Sequence, residues 1–233
     1  MARLGRIVSI ALITAGLVVL LDVGLTLAYR EPVSSIYGSI QQHAAADQLA
    51  DLESHYPSAA DLRAIEGVQN AGRRISILAR RFARQAGDGE AIGRIVAPGM
   101  DDLNAVVVQG TDTGSLQKGP GHYPQTPFPG QPGTVAIAGH RTTYLAPFRH
   151  IDSMQKGDEV TLEMPYATFT YRVERTDVVD PSDVGVVRPV GYPRLVLSAC
   201  HPLYSAAHRY IVFARLESAT LFDAAAGGPW PAN

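Results

Sequence analysis

The chain holds a single cysteine, Cys200, and seven histidines. Cys200 ends the run Leu195-Val196-Leu197-Ser198-Ala199, His140 ends the run Thr134-Val135-Ala136-Ile137-Ala138-Gly139, and Arg209 opens the run from Tyr210 to Arg215. The three runs are short, apolar and bounded by turn residues, so each is expected to be a strand, with the three side chains at strand ends. A thiol attacks as its thiolate, and with an ordinary pKa of about 8.5 it needs a base or a cation nearby to react near neutral pH. An imidazole holds or delivers a proton, while a guanidinium, always charged, donates hydrogen bonds to a developing oxyanion. Brought to one rim by adjacent strand ends, these three residues would supply nucleophilic acyl-transfer chemistry. His201 and His208, which flank the Cys200–Arg209 loop, are alternatives to His140 as the acid/base. A metal site made of His140, Cys200 and His201 fits by ligand type, but no tight spacing supports it, and no metal or other cofactor is expected.

The elements that must position these residues can be read from the pattern around them. Strand-like segments occur at 92–96, 105–108, 134–138, 159–163, 168–174, 177–179, 194–198 and 210–215, separated by Gly- and Pro-containing turns. The stretch Thr168-Phe169-Thr170-Tyr171-Arg172-Val173 alternates with period two, as the wall of a barrel half-buried on one face should. Eight short strands in about 130 residues imply a small closed or nearly closed β-barrel. Gly110–Gly133 is a long Gly/Pro-rich loop, the kind of barrel loop that tends to carry function. Upstream, Ser34–Ala86 reads as two helices broken near His55-Tyr56-Pro57, with Ser58 and Asp61 spaced as a capping box. Leu62, Ile65, Val68, Ile75, Leu78 and Phe82 recur at three-to-four-residue steps, leaving Arg73, Arg74, Arg80, Arg81 and Arg84 on other faces, which describes an amphipathic stalk.

At the N-terminus, Ile7–Tyr29 is a 23-residue stretch whose only charge is Asp22. As a helix it would extend about 34 Å, enough to cross a hydrocarbon core of about 30 Å. Arg3 and Arg6 precede it, so the N-terminus is expected in the cytoplasm and everything after Arg30 outside. A cleavable signal peptide, with Thr26-Leu27-Ala28 as its small-residue site, is the competing reading. Asp22 is expected to snorkel to the outer interface.

Composition narrows the function classes. Gly and Pro number 22 and 16 against 46% hydrophobic residues, which excludes a wholesale disordered chain. The 20 basic and 22 acidic residues leave a net charge of −2, so no phosphate-seeking surface and no nucleic-acid partner are expected. One thiol excludes an intrachain disulfide and zinc sites built on two or four cysteines. In an oxidising compartment a lone thiol is a liability unless it is buried or useful.

In its wording the sequence resembles the sortases, the membrane-anchored cysteine transpeptidases of Gram-positive bacteria. The resemblance lies in Gly133-Thr134-Val135-Ala136-Ile137-Ala138-Gly139-His140, in Leu195-Val196-Leu197-Ser198-Ala199-Cys200, and in Arg209 nine residues after the cysteine. It covers about Glu90 to Leu216, and the N-terminal anchor also fits. What it implies is a mainly β fold, an eight-stranded sortase-like barrel preceded by a transmembrane helix and a helical stalk. Cys200 would attack a Leu-Pro-x-Thr-Gly-like sorting signal between Thr and Gly to give a thioacyl enzyme. His140 would protonate the departing amine and deprotonate the incoming one, and Arg209 would stabilise the oxyanion. The partners implied are secreted proteins carrying a C-terminal sorting signal and an amine acceptor, either a peptidoglycan precursor or a pilin.

The runs His140–Arg149 and Gly119-Pro120-Gly121-His122-Tyr123-Pro124 look most like the actinobacterial class E group, some of which prefer Leu-Ala-x-Thr-Gly. His122, Tyr123, Tyr144 and Ala199 are the expected substrate-binding residues. Ala199 departs from the family's Thr-Leu-x-Thr-Cys, replacing the hydroxyl residue next to the nucleophile. The implied organisation is a cytoplasmic tip and signal anchor at 1–29, an extracytoplasmic helical stalk at 30–89, a catalytic barrel at 90–219 and a flexible tail at 220–233. Two rivals remain: a cysteine L,D-transpeptidase acting on peptidoglycan, which usually has a compact His-x-x-x-Gly-Cys segment, and a non-catalytic anchored adaptor with a degenerate barrel.

Overall fold

A computed structural model describes residues 2–28, 32–223 and 228–229. Helix α1 (Ala2–Ala28) is long and apolar enough between Arg3 and Gly24 to cross a membrane, and it buries none of that surface against the rest of the protein. Tyr29 and Arg30, the end of the expected span and its flanking charge, lie outside the described residues. Three further helices follow, α2 (Pro32–His55), α3 (Ala59–Ile65) and α4 (Ala71–Ala83). The expected break at Pro57 is present, and Ser58 and Asp61 form the reciprocal capping box that starts α3. A second break at 66–70, before the Asn70 cap of α4, resets the helical phase. Leu62, expected on the apolar face, is exposed, because α3 turns Asp61 and Ile65 inward instead.

The barrel strands are β1 (Ala91–Ala97), β2 (Leu103–Gln109), β3 (Gly121–His122), β4 (Thr134–Ala138), β5 (Glu159–Met164), β6 (Ala167–Val179), β7 (Arg194–His201) and β8 (His208–Asp223). Their hydrogen-bonded order is β6-β5-β1-β2-β3-β4-β7-β8, and β6 also pairs with β8, which closes an eight-stranded barrel. Closure removes most free strand edge, and on β2, which meets β3 at only two residues, Gln42 of α2 bonds the Val106 backbone in place of a neighbouring strand. Pairing is parallel between β2 and β3 and between β4 and β7, and antiparallel elsewhere.

Two expectations about strands change. Segments 168–174 and 177–179 are one strand, β6, because pairing with β8 continues through a bulge between Val173 and Arg175. The expected loop 110–133 contains a short helix, α5 (Thr113–Lys118), capped by Asp112, as well as β3. The expected tail overlaps β8 to Asp223; a further short pairing, β9 (Gly228–Pro229), lies against the end of β8, and 224–227 and 230–233 lie outside the described residues.

Alternation along the strands fills the interior. Val135 and Ile137 of β4, Leu195, Leu197 and Ala199 of β7, and Val212 and Ala214 of β8 all belong to the main core. The helices belong to it as well, since Tyr56, Ile65 and, from α4, Ile75, Leu78, Ala79 and Phe82 are buried in the same cluster. Phe82 packs against Tyr56, Phe128 and Tyr166 with ring centroids 5.0, 5.7 and 5.5 Å away. Residues 32–83 are therefore packed on the barrel instead of standing off it as a free stalk. A helix carrying that many apolar side chains on one stripe gains about 1.5–3 kcal/mol for each one it buries.

Candidate active site

Register places two of the three expected residues opposite each other. Cys200 and Arg209 are direct cross-strand partners where β7 and β8 pair. Leu195, Leu197 and Ala199 point into the barrel, so Val196, Ser198 and Cys200 face outward; on β8, Val212 points inward and Ile211 and Arg209 outward. The parallel pairing of β4 with β7 ends at Ala138 opposite Ser198, and the Gly139 amide donates to the Ser198 carbonyl at 3.0 Å. The chain therefore leaves β4 level with the last residues of β7, with His140 two positions past Ala138 as Cys200 is two past Ser198. Cys200 is half-buried and free. Arg209 donates to the carbonyls of Ala206 and His208 at 3.1 and 3.0 Å, and no carboxylate pairs with it among the described residues.

His140 is half-buried, and its Nε2 is enclosed with no hydrogen-bond partner among the described residues. Burial holds the imidazole pKa below its ordinary value, favouring the neutral ring. Tyr144 packs against it, with ring centroids 5.4 Å apart. The loop between them bends through three successive non-glycine residues in the left-handed region, Tyr144, Leu145 and Ala146, at φ of 50°, 65° and 45°. Each such residue costs on the order of 1–3 kcal/mol, so the surroundings must impose the conformation.

Arg141 was not singled out in the sequence, where its only signal is its place beside His140. Its guanidinium is only 2% exposed and pairs with Asp152 at 2.7 Å. It also donates twice to the Arg149 carbonyl, at 3.2 and 3.1 Å, and lies 3.5 Å from the Cys200 carbonyl. Its Nη1 meets Nδ1 of His201 at 3.1 Å. A guanidinium has donors only, so Nδ1 must accept and the His201 proton sits on Nε2. His201 is thereby committed to holding the end of β7, which weakens it as an alternative acid/base; His208 is exposed at the start of β8.

The other expected residues are dispersed. Tyr123 lines an outer cavity of about 460 Å³ floored by Val196, Ser198 and Ile211, walled by the 3₁₀ turn Val184–Val187 and reached by Arg209. A second cavity, about 340 Å³, opens beside Cys200 between Arg141, Thr142 and Tyr204. His122 lines neither: at 1% exposure its ring bonds to Gln109 at 2.8 Å, Thr126 at 3.1 Å and the Pro127 carbonyl at 3.2 Å. Burial pushes its pKa down to about 4, against the smaller opposing pull of the Pro127 carbonyl. Ala199 is also off the groove, because strand alternation turns it into the core at 3% exposure. The missing hydroxyl beside Cys200 therefore falls on the interior side of the wall. Tyr144 touches His140 rather than either of these cavities.

The chain is 32% identical over 131 residues to Sortase D of Bacillus subtilis, covering 54% of this chain and 64% of the relative. It is 32% identical over 110 residues to Sortase SrtE1 of Streptomyces coelicolor, covering 41% of this chain and 31% of that one. The chain thus spans less than two thirds of the length of these relatives. Among solved structures, sortase E from Streptomyces avermitilis superposes with a TM-score of 0.53 at 36% identity, covering 58% of this chain and 93% of that structure. The sortase-domain family model matches residues 95–217, more than half of the chain, and with it the barrel, the Cys200–Arg209 pair and the His140 strand: the chain belongs to the sortase family.

Proposed function

We propose that this protein is a membrane-anchored cysteine transpeptidase in which Cys200, His140 and Arg209 process a sorting signal of the Leu-Pro-x-Thr-Gly or Leu-Ala-x-Thr-Gly kind. The observation that carries the reading is the pairing of Cys200 with Arg209 on the outer face of the barrel, with the His140 segment paired alongside. His140 takes the proton of the Cys200 thiol, and the resulting thiolate attacks the threonine carbonyl carbon, forming the C–S bond and moving the carbonyl electrons onto oxygen. Arg209, without a carboxylate to neutralise it, donates to that oxyanion. On collapse the C–N bond to glycine breaks, and His140 delivers a proton to the departing amine. An incoming amine then gives its proton to His140 and attacks the thioester, and the thiolate leaves. The apolar cavity beside Tyr123 and Arg209 would hold the residues before the scissile bond.

The His140–Arg149 run and the 36% identity to sortase E favour a class E-like enzyme. Helix α1 would anchor it with the N-terminus in the cytoplasm and the barrel outside, facing secreted substrates and a peptidoglycan or pilin amine. The test uses the full chain in detergent with a panel of sorting-signal peptides and a glycine-peptide amine, products read by mass spectrometry. Cleavage between Thr and Gly and a new amide are expected. Cys200→Ala should abolish both and also abolish labelling by iodoacetamide, since no other thiol exists. Turnover retained in Cys200→Ala would overturn the mechanism, and an inert wild-type thiol would favour the adaptor reading.

A further inference from the structure

Helix α2 presents one seam to the barrel, made of Ser34, Gly38, Gln42, Ala45 and Leu49 at three-to-four-residue steps. Gln42 fixes the helix to β2 from both ends of its amide, accepting from the Val106 amide at 2.9 Å and donating to the Val106 and Lys118 carbonyls at 3.0 and 2.6 Å. One turn earlier the seam meets the loop that follows His140. The Tyr144 amide donates to Oγ of Ser34 at 3.1 Å, and the Tyr37 and Tyr144 rings lie edge to face at 6.1 Å. At Gly38 the two backbones touch. A Cβ there would stand 2.8 Å from the Tyr144 carbonyl carbon and 3.1 Å from the Leu145 nitrogen, which are backbone atoms that cannot swing aside. From the barrel side, Gln117 donates to the Tyr144 hydroxyl at 3.1 Å. The contacts converge on the first of the three left-handed residues, the one whose ring packs on His140.

We propose that α2 is a latch on the His140 loop: Ser34 and Gly38 clamp the Tyr144 backbone, and Tyr144, as a positioning residue, sets the imidazole against the end of β7. The helix that begins four residues after the membrane-spanning candidate α1 thus completes the active site, although it contributes no reacting group. This rests on the assignment of His140 as acid/base, and it predicts that contacts more than a hundred residues away in sequence govern that group.

Gly38→Ala in the full chain is the sharpest test, because two principles give opposite signs. Alanine favours a helix interior over glycine, so α2 itself is not weakened. The methyl must instead push the Tyr144 backbone away by several tenths of an ångström, and misplacement of a catalytic group by about 1 Å can cost as much as 10²-fold. The expected result is a fall in kcat of about tenfold with KM for the signal peptide unchanged. The Cys200 alkylation rate should stay within about twofold of wild type. The His140 ring resonance, followed by NMR in ¹³C-histidine protein and assigned with His140→Gln, should titrate at higher pH as the ring gains water. Ser34→Ala, which keeps the helix and removes only the acceptor, should move the same readouts less. Ile40→Ala, on the exposed side of α2, should move none. Wild-type kcat and an unmoved His140 titration in Gly38→Ala would overturn the latch, as would a loss of activity that merely tracks a lost folded fraction. If the titration moves but His140→Gln still turns over, the latch stands and the acid/base assignment falls.

Discussion

The two ends of this barrel are built on different terms. Where β4 and β7 begin, Ile75 of α4 lies beside Gly133 and Pro193, and the nearby interior is stoppered by Phe82, Tyr56, Phe128 and Tyr166. The Tyr56 and Tyr166 hydroxyls there each donate to a carbonyl at 2.7 Å, and a buried polar atom left over beside them is Nε of Arg194, without a partner among the described residues. Where the same strands finish, Cys200, His140 and Arg209 are only half-buried, one imidazole nitrogen is orphaned, and a run of residues is held in the left-handed region. Apolar packing costs little geometric precision and returns stability, whereas a reacting site needs polar groups held in place without a partner. The first end makes the second affordable. If that division is correct, substitutions at the two ends should move different observables.

Phe82→Ala tests the stability end and should produce the largest effect. Removing a fully buried aromatic ring that touches three others should cost about 3–5 kcal/mol of unfolding free energy, read as a shift in the urea midpoint. The fraction that stays folded should keep its kcat, and a large loss of kcat per folded molecule would erase the distinction between the ends. The same core membership predicts that a fragment starting near Glu90 will be poorly folded, because it lacks Ile75, Leu78 and Phe82.

Arg209→Ala tests the other end. Loss of one oxyanion donor costs about 10²–10³ in turnover, with the melting temperature nearly unchanged because, among the described residues, the Arg209 guanidinium bonds only to the carbonyls of Ala206 and His208. Lysine should restore little, since an ammonium lacks the fork of the guanidinium. If Arg209→Lys retains near-wild-type kcat/KM with an unshifted pH profile, the oxyanion role is wrong.

These contrasts also explain what could be read in the sequence. Periodicity reveals the strands that pack the core, and the lone Cys200 stands out by its chemistry, whereas His140 and Arg209, two among seven histidines and many arginines, stand out through the sortase-like wording around them. It could not reveal the α2 seam, since Ser34, Gly38 and Gln42 dock by backbone contact and hydrogen bonds and leave no apolar stripe. Leu62 departs from its expected face because the polar Asp61, bonded to Ser58 and Arg81, shares the buried side of α3 with Ile65. The sequence neighbours of His122 and Ala199 point to a place on the groove. Strand alternation and a buried hydrogen-bond trio, both properties of the folded wall, turn them inward. Arg141 has no signal in sequence beyond its place beside His140, because its partners Asp152, Arg149 and His201 are assembled by the fold.

His122 makes the stability of the fold depend on pH. The unfolded imidazole binds a proton near 6.5, while the folded one remains neutral until about 4. Its contribution is therefore complete above about pH 6.5 and is lost as the pH falls toward 4, amounting to about 3 kcal/mol. Urea midpoints of wild type should drop through this window. His122→Gln, which keeps hydrogen-bonding capacity without titrating, should flatten that portion of the curve; an equally steep decline in the variant would assign the acid sensitivity to other groups.

The smallest predicted effect, at Asp152, separates stability from positioning within the catalytic end itself. The Arg141 guanidinium is almost wholly buried, and removing the partner of a buried charge can cost about 3–5 kcal/mol when both groups are dry. Asp152 is 45% exposed, however, so water screens the pair, and the guanidinium keeps the Arg149 carbonyl and Nδ1 of His201 as acceptors. Asp152→Asn, which preserves an acceptor oxygen, should therefore cost only about 1 kcal/mol, near the range of exposed pairs. Arg141→Ala is different in kind, because it strands the Arg149 carbonyl and frees His201 at the end of the strand that carries Cys200. It should slow Cys200 alkylation or turnover by more than its loss of stability explains. Measuring both variants by urea titration and by kcat/KM decides the matter: if Asp152→Asn and Arg141→Ala fall on one line relating stability to activity, Arg141 is a structural cation only, and if Arg141→Ala lies well below that line, it positions the nucleophile strand.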